Sequence, residues 1–292
     1  MTVSPSSNNA VACVVSRKPT AAFVTRVVLG LALAMLWVLP VAAGPLEDGL
    51  DAYVRGDFPK TISLLQPLAD QGSAPAQFQL GVMHHNGEGV ARNDVEATKW
   101  YRKAADQGLA KAQYELGRNY IRGRGIAKDD AEAQKWYRKA AEQGYAPAQN
   151  LFGGNLAEGI GGPKNEAEGA KWVRKAADQG HTPAMNRLGE MYRVGAGVAP
   201  SDTEAVKWFR KAADLRSEDA LHNLGVMYSG GLGVKKDLVE AYKWFSLSSK
   251  RHNKGRERDR SNSAALDVAE RLTLAELEEA KKRAREWRPG KN

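Results

Sequence analysis

KWYRKAADQG (residues 99–108) returns as KWYRKAAEQG (135–144), KWVRKAADQG (171–180) and KWFRKAADLR (207–216), then dissolves in KWFSLSSKRH (243–252). The tryptophans of these copies, Trp100, Trp136, Trp172, Trp208 and Trp244, recur every 36 residues. Self-similarity at a fixed period of about 20–50 residues marks a solenoid or array. One short helical unit cannot bury its apolar face alone and must stack on the next. The five tryptophans are therefore expected to be structural.

Each copy reads as a helix, here called helix B. Asn93, Asp129, Asn165, Ser201 and Asp237 stand at its N-cap, and Glu96, Glu132, Glu168, Glu204 and Glu240 follow three residues later. That is the spacing of a capping box, in which the cap accepts from the N3 amide and the glutamate reaches back to the cap. A fixed distance from a cap explains these glutamates better than acid catalysis does. Ala97, Trp100, Tyr101, Ala104 and Ala105 form the apolar stripe. Lys99, Arg102 and Lys103 lie off it, and a solvated face near the helix C-terminus is expected for them. Gly108, Gly144 and Gly180 close the helix, but Arg216 holds that position in the fourth copy. A non-glycine at a left-handed position predicts strain or a rearranged turn at 214–217.

Upstream of helix B lies a second helical pattern, helix A. Ala76, Leu80, Met83 and His84 share one face at helical spacing, with Leu116, Phe152, Leu188 and Leu224 at the second position of later copies. Gly81, Gly117, Gly153, Gly189 and Gly225 interrupt it at one register. A mid-helix glycine costs about 0.8–1 kcal/mol against alanine. Its fivefold recurrence implies close approach of a neighbouring helix. Helix A ends at a glycine pair, Gly87 and Gly89 in the first copy, suited to a left-handed C-cap. The Gly-x-Gly follows a helix rather than a strand, so it lacks the context of a phosphate cradle.

These residues resemble the Sel-one-like repeat family, relatives of tetratricopeptide repeats. The resemblance rests on Ala-x-x-x-Leu-Gly-x-Met-Tyr (fullest at 184–192), the Gly-x-Gly-Val loop, Glu-Ala before the tryptophan, and Trp-Tyr-Arg-Lys-Ala-Ala. It implies an all-α fold: a right-handed superhelical α/α solenoid of about six helix pairs with C-terminal capping helices. The expected layout is a degenerate first repeat at 44–72 with Leu64 in the tryptophan slot, five repeats over 73–250, and a basic linker with a helical cap at 251–292. Within that cap, 264–271 and 274–287 read as two helices, with Thr273 and Glu276 as a capping box.

The first 43 residues are set apart by composition. They hold no acidic residue, three basic ones (Arg17, Lys18, Arg26), an apolar run at 27–39 and a small-x-small site at Val41 and Ala43. This pattern predicts a secretory signal peptide at 1–43, cleaved after Ala43. The rival reading is an uncleaved anchor, since 27–43 is at the lower edge of a membrane span. The only cysteine, Cys13, lies in the removable segment. A mature chain would then have no disulfide framework, cysteine nucleophile or thiolate metal site. The net charge of +9 sits mostly at the ends: residues 44–249 hold 27 basic and 26 acidic residues, and 250–292 hold 13 and 8. A nucleic-acid binder should carry a basic stripe on its folded body, so no nucleic-acid partner is expected.

The resemblance implies a non-catalytic adaptor holding a protein or peptide on its concave helix-A face. Some relatives are described as penicillin-binding or weak β-lactamases. That alternative is weakened here by the missing cysteines and by the lack of Ser-x-x-Lys with Lys-Thr-Gly. No catalytic residue, cofactor or metal site is expected, and no two of His84, His85, His181, His222 and His252 form an i, i+4 metal pair. Candidate partner-binding positions are the non-repeating ones opposite the helix-A core. One row is Phe78, Tyr114, Asn150, Asn186 and His222; another contains Val82, Arg118, Gly154, Glu190 and Val226; a third is His85, Ile121, Ala157, Arg193 and Ser229. The bland alternative is solvent exposure or packing between repeats. The expected location is periplasmic or secreted, with membrane attachment only if the signal segment is retained.

Overall fold

A computed structural model describes residues 44–251 and 255–290. The expected signal peptide at 1–43 lies outside these residues. The chain divides into Met1–Gly44 and Pro45–Asn292, and the second unit is described here.

Among the described residues there are fourteen helices and no strand. They are α1 (Pro45–Val54), α2 (Phe58–Asp70), α3 (Ala74–Asn86), α4 (Asp94–Asp106), α5 (Ala110–Arg122), α6 (Asp130–Glu142), α7 (Ala146–Glu158), α8 (Glu166–Asp178), α9 (Thr182–Val194), α10 (Asp202–Asp214), α11 (Glu218–Gly230), α12 (Leu238–Arg251), α13 (Arg256–Ala269) and α14 (Leu274–Glu286). From α3 to α12 they alternate as A and B helices of five units; α1 and α2 form the pair before them. From α1 to α13 each helix packs on its sequence neighbours, and α14 packs on α12.

The recurring glycines have two separate jobs. A Cβ at Gly117 would lie 2.7 Å from the Tyr137 ring, and one at Gly189 2.5 Å from Phe209, so the helix-A glycine makes room for the aromatic beside the tryptophan. In the third unit Val173 replaces that aromatic. There the backbones close up instead, with a Cβ at Gly153 only 2.6 Å from the Gly169 carbonyl oxygen. The first loop glycine is the left-handed C-cap, as at Gly123 (φ 63°). The second packs against the preceding unit: a Cβ at Gly125 would sit 1.9 Å from the Asp94 carbonyl oxygen. Arg216 does adopt the left-handed conformation (φ 66°), and the turn is retained with Ser217 N donating to Ala212 O at 2.9 Å. The outcome is therefore strain without rearrangement.

Trp100, Trp136, Trp208 and Trp244 are buried, whereas Trp172 is half-buried. The expected solvated face is also partly otherwise. Lys103, Lys139, Lys175 and Lys211 fold over the tryptophan three residues earlier at 3.9–4.0 Å, an arrangement favoured by the ring quadrupole. Arg102 and Arg210 donate to the hydroxyls of Tyr120 and Tyr228 in the next unit at 2.5 and 2.6 Å, as Arg174 does to Tyr192. These bonds tie successive units together.

The capping boxes of the repeats need correction. The N-cap side chains accept from N3 as expected at Asn93, Asp129, Asn165, Ser201 and Asp237. The glutamates turn outward instead: Glu96, Glu132, Glu168 and Glu204 pair with Lys99, Lys135, Lys171 and Lys207 at 3.0, 2.7, 3.3 and 2.6 Å. A lysine one turn on competes for the carboxylate. Where no such lysine follows, at Thr273 and Glu276, the full reciprocal box forms.

The C-terminal cap is longer than expected, because α13 begins at Arg256. Its register buries Ala265 and Val268 against Ala241 and Phe245. The last helix, α14, returns to α12: Trp287 stands edge-on to Trp244 at 5.7 Å, and Arg283 pairs with Glu240 at 3.0 Å.

Candidate partner-binding surface

The positions that do not repeat lie on the A helices α3, α5, α7, α9 and α11. The structure separates them by environment. Phe78, Val82, Tyr114 and Arg118 are half-buried, Glu190 is exposed, and Asn150, Asn186 and His222 are buried. The first row is the more buried one because it abuts the aromatic on helix B: Phe78 meets Tyr101 at 5.7 Å, Tyr114 meets Tyr137 at 6.0 Å and His222 meets Phe245 at 5.2 Å. His222 is also held by the cap, with Nδ1 3.0 Å from Ser261 Oγ on α13.

In the first two units this surface is aromatic. A groove of ≈ 600 Å³ runs past Leu50, Pro75, Phe78, Leu109 and Tyr145, drawn from the first pair and two following units. The Tyr145 ring stands edge-on to Tyr114 at 5.5 Å. Arg118 lies over Tyr114 at 5.7 Å and pairs with Glu115 at 3.0 Å. Burial raises the Tyr114 and Tyr145 hydroxyl pKa values, so both are neutral donors near neutral pH.

Further along, the surface becomes polar. Asn150, Asn186, Arg187, Glu190 and Asp219 line a second groove of ≈ 540 Å³. Asn186 Nδ2 donates to Glu190 at 3.0 Å and Asn186 Oδ1 accepts from Asn223 at 3.0 Å. Asn150 Oδ1 has no donor among the described residues. A buried acceptor left unpaired costs about 1–3 kcal/mol. Of the predicted positions, Phe78 thus belongs to one groove, with Tyr114 and Arg118 beside it. Asn150, Asn186 and Glu190 share the other, and His222 joins neither.

Sequence reading missed the glutamines that join the units. Gln77, Gln113 and Gln149 donate to the carbonyls of Ala69, Ala105 and Ala141 at 2.9, 3.1 and 3.0 Å. Their own oxygens accept from Gln107, Gln143 and Gln179 at 2.7, 2.8 and 2.6 Å. The signal was present: both members become apolar together in the fourth unit, as Met185 and Leu215. His85, a third-row position, has its Nδ1 2.7 Å from Asp94 Oδ1 and its Nε2 3.1 Å from Arg124. Burial opposes ionisation of Asp94, but the hydrogen bonds from His85 and Arg92 prevail and its pKa is lowered.

Among the described residues, no group of three or more His, Cys, Asp or Glu could hold a metal ion, and no helix is long and apolar enough to cross a membrane.

Paired helices with a glycine-cleared aromatic seam define a helix-pair repeat protein. The Sel1 repeat model matches residues 74–109, 110–145, 146–181, 182–217 and 218–253, and the chain belongs to that family. It is 32% identical to a Sel1 repeat protein from Oxalobacter formigenes, whose structure aligns with a TM-score of 0.70 over 78% of this chain and 97% of that one. It also resembles a protective antigen of uropathogenic Escherichia coli with an SLR fold, at 27% identity, 82% and 67% coverage and a TM-score of 0.39. A Sel1 repeat protein from Klebsiella pneumoniae aligns at 23% identity, 71% and 98% coverage and a TM-score of 0.47. A comparison with curated proteins gave no match.

Proposed function

We propose that the protein is an exported scaffold that holds a protein or peptide along its A-helix face without performing chemistry on it. Sel1-repeat proteins are typically protein-interaction scaffolds. The observation carrying the assignment to this face is the groove at Phe78, Leu109 and Tyr145, built from non-repeating side chains of successive units. Aromatic residues and arginine supply most of the energy of protein contacts, because they bury large areas and retain a polar handle. Phe78, Tyr114, Tyr145 and Arg118 make such a cluster. Asn150, Asn186 and Glu190 would hold the backbone of the same partner further along, since carboxamides and carboxylates satisfy peptide N–H groups. Export is supported by the composition of residues 1–43.

The test compares partners captured from the native cell envelope by wild type and by a Tyr114→Ala/Arg118→Ala variant of matched helicity. The variant should lose a discrete subset. Identical partner sets would remove the assigned face. N-terminal sequencing of the mature protein tests export; a start at Gly44 is expected, and an intact Met1 would contradict it.

A further inference from the structure

A third groove, on the loop edge near the cap, has a chemistry that the other repeats do not share. Its volume is ≈ 580 Å³ and it lies where the loop before α12 meets the turn before α14. Ligand sites usually span about 300–1,000 Å³. Four cations border it: Arg210, Lys235, Lys236 and Arg271. Its apolar part is formed by Tyr228, Leu238 and Leu272.

Comparison of equivalent loops within the chain shows what is unusual. In the first three units the loop cation is neutralised by the first residue of helix B. Arg92 pairs with Asp94 at 3.2 Å, Lys128 with Asp130 at 3.3 Å and Lys164 with Glu166 at 2.6 Å. In the fifth unit the cation is Lys236 and the residue in the carboxylate position is Leu238. A second cation, Lys235, stands where the first, second and fourth units have Ala91, Ala127 and Ala199. The cap adds Arg271. Lys235, Lys236 and Arg271 are exposed and make no ion pair among the described residues. The guanidinium of Arg210 is steadied by its bond to Tyr228. The two acids at the groove are already engaged: Asp237 caps α12, and Glu276 accepts from Thr273 N and Oγ1.

We infer that this groove docks an acidic peptide segment of a partner protein, one that carries apolar side chains between its carboxylates. The unpaired cations supply charge complementarity, which steers encounter and fixes register. The apolar floor favours a peptide with Leu- or Phe-like side chains over a bare phosphate. The near balance of charge over residues 44–249 gives no basic track for a nucleic acid.

Fluorescence anisotropy with the full chain tests this, using a fluorescein-labelled octapeptide alternating Glu and Leu, and its Gln-for-Glu counterpart. The acidic peptide should bind saturably and weaken with salt, and the Gln peptide should not bind. Lys235→Ala/Lys236→Ala should weaken binding about tenfold, as expected for the loss of two exposed charge contacts. Lys128→Ala, at an already neutralised loop, should leave it unchanged. The Tyr114→Ala/Arg118→Ala variant should also leave it unchanged, which keeps this site separate from the A-helix face. No saturable binding, equal binding of the Gln peptide, or undiminished binding by the double variant would overturn the inference. Tighter binding of a thymidine oligonucleotide than of the peptide would overturn it as well.

Discussion

Replacing Gly125 by alanine puts a methyl group into the junction between two units. Gly125 has φ 65°, and its Cβ would lie 1.9 Å from the carbonyl oxygen of Asp94 and 2.8 Å from Thr98 Oγ1. Gly123, two residues earlier, has φ 63°, but its Cβ would lie 3.4 Å from Lys128 Cβ, an ordinary contact. Both substitutions incur the left-handed backbone cost, about 1–2 kcal/mol. Both recover about 0.4–1 kcal/mol because alanine restricts the unfolded chain. Gly123→Ala should therefore cost about 1 kcal/mol. Gly125→Ala adds a clash with backbone that cannot rotate away, and overpacking costs about 1–3 kcal/mol more. Its total should be about 2–4 kcal/mol. Urea unfolding followed by circular dichroism at 222 nm reads the difference as a midpoint shift at constant slope. Gly144→Ala, with nothing within 4 Å of the new Cβ, serves as the strain-only control. Equal costs at Gly125 and Gly123, within about 0.5 kcal/mol, would refute the claim that the second glycine is a packing device.

Trp136→Ala should cost about 3–5 kcal/mol, as a buried aromatic truncation; Trp172→Ala should cost less because Trp172 is half-buried, and a Trp136 loss below about 1 kcal/mol would contradict its place in the core. Arg216→Gly should raise stability by about 0.5–1 kcal/mol, from relief of left-handed strain less glycine's extra entropy, and a decrease in the urea midpoint would count against it. Burial lowers the pKa of His181 below its unfolded value of 6.5. The unfolded chain therefore takes up this proton first, and the His181 contribution is fully present above pH 6.5 and lost as pH falls below it. His181→Gln should flatten that part of the stability profile, and an unchanged slope would sink the assignment.

Much of the fold is written in the chain because its determinants are local and repeated. The tryptophan period, the cap residues and the C-cap glycines all act within one or two turns of where they stand. Arg216 shows the strength of that logic: a misfit residue is forced into the glycine conformation by the turn around it. What could not be read is which of several possible partners a side chain takes. The glutamate of each expected capping box was drawn off by a lysine one turn on, a competition that spacing alone does not rank. The Gln77–Gln107 pair joins residues 30 apart, and only their joint loss at Met185 and Leu215 hints at it. The candidate surface was legible as a set of helix-A rows but not in depth. Pairing with the helix-B aromatics draws the first row inward, and the cap, whose first helix was expected to begin eight residues later, covers His222. Lys236 stands at the loop position of Arg92, Lys128 and Lys164, and its lack of a partner shows only beside their ion pairs.

The most direct test of the A-helix face is site-specific photocrosslinking in the native cell. Benzoylphenylalanine replaces Tyr114 in one strain and Lys135, exposed on helix B of the same unit, in another. The partner-binding account predicts a discrete crosslinked species from position 114 and none from position 135. Crosslinks of equal yield from both positions, or from 135 alone, would contradict it.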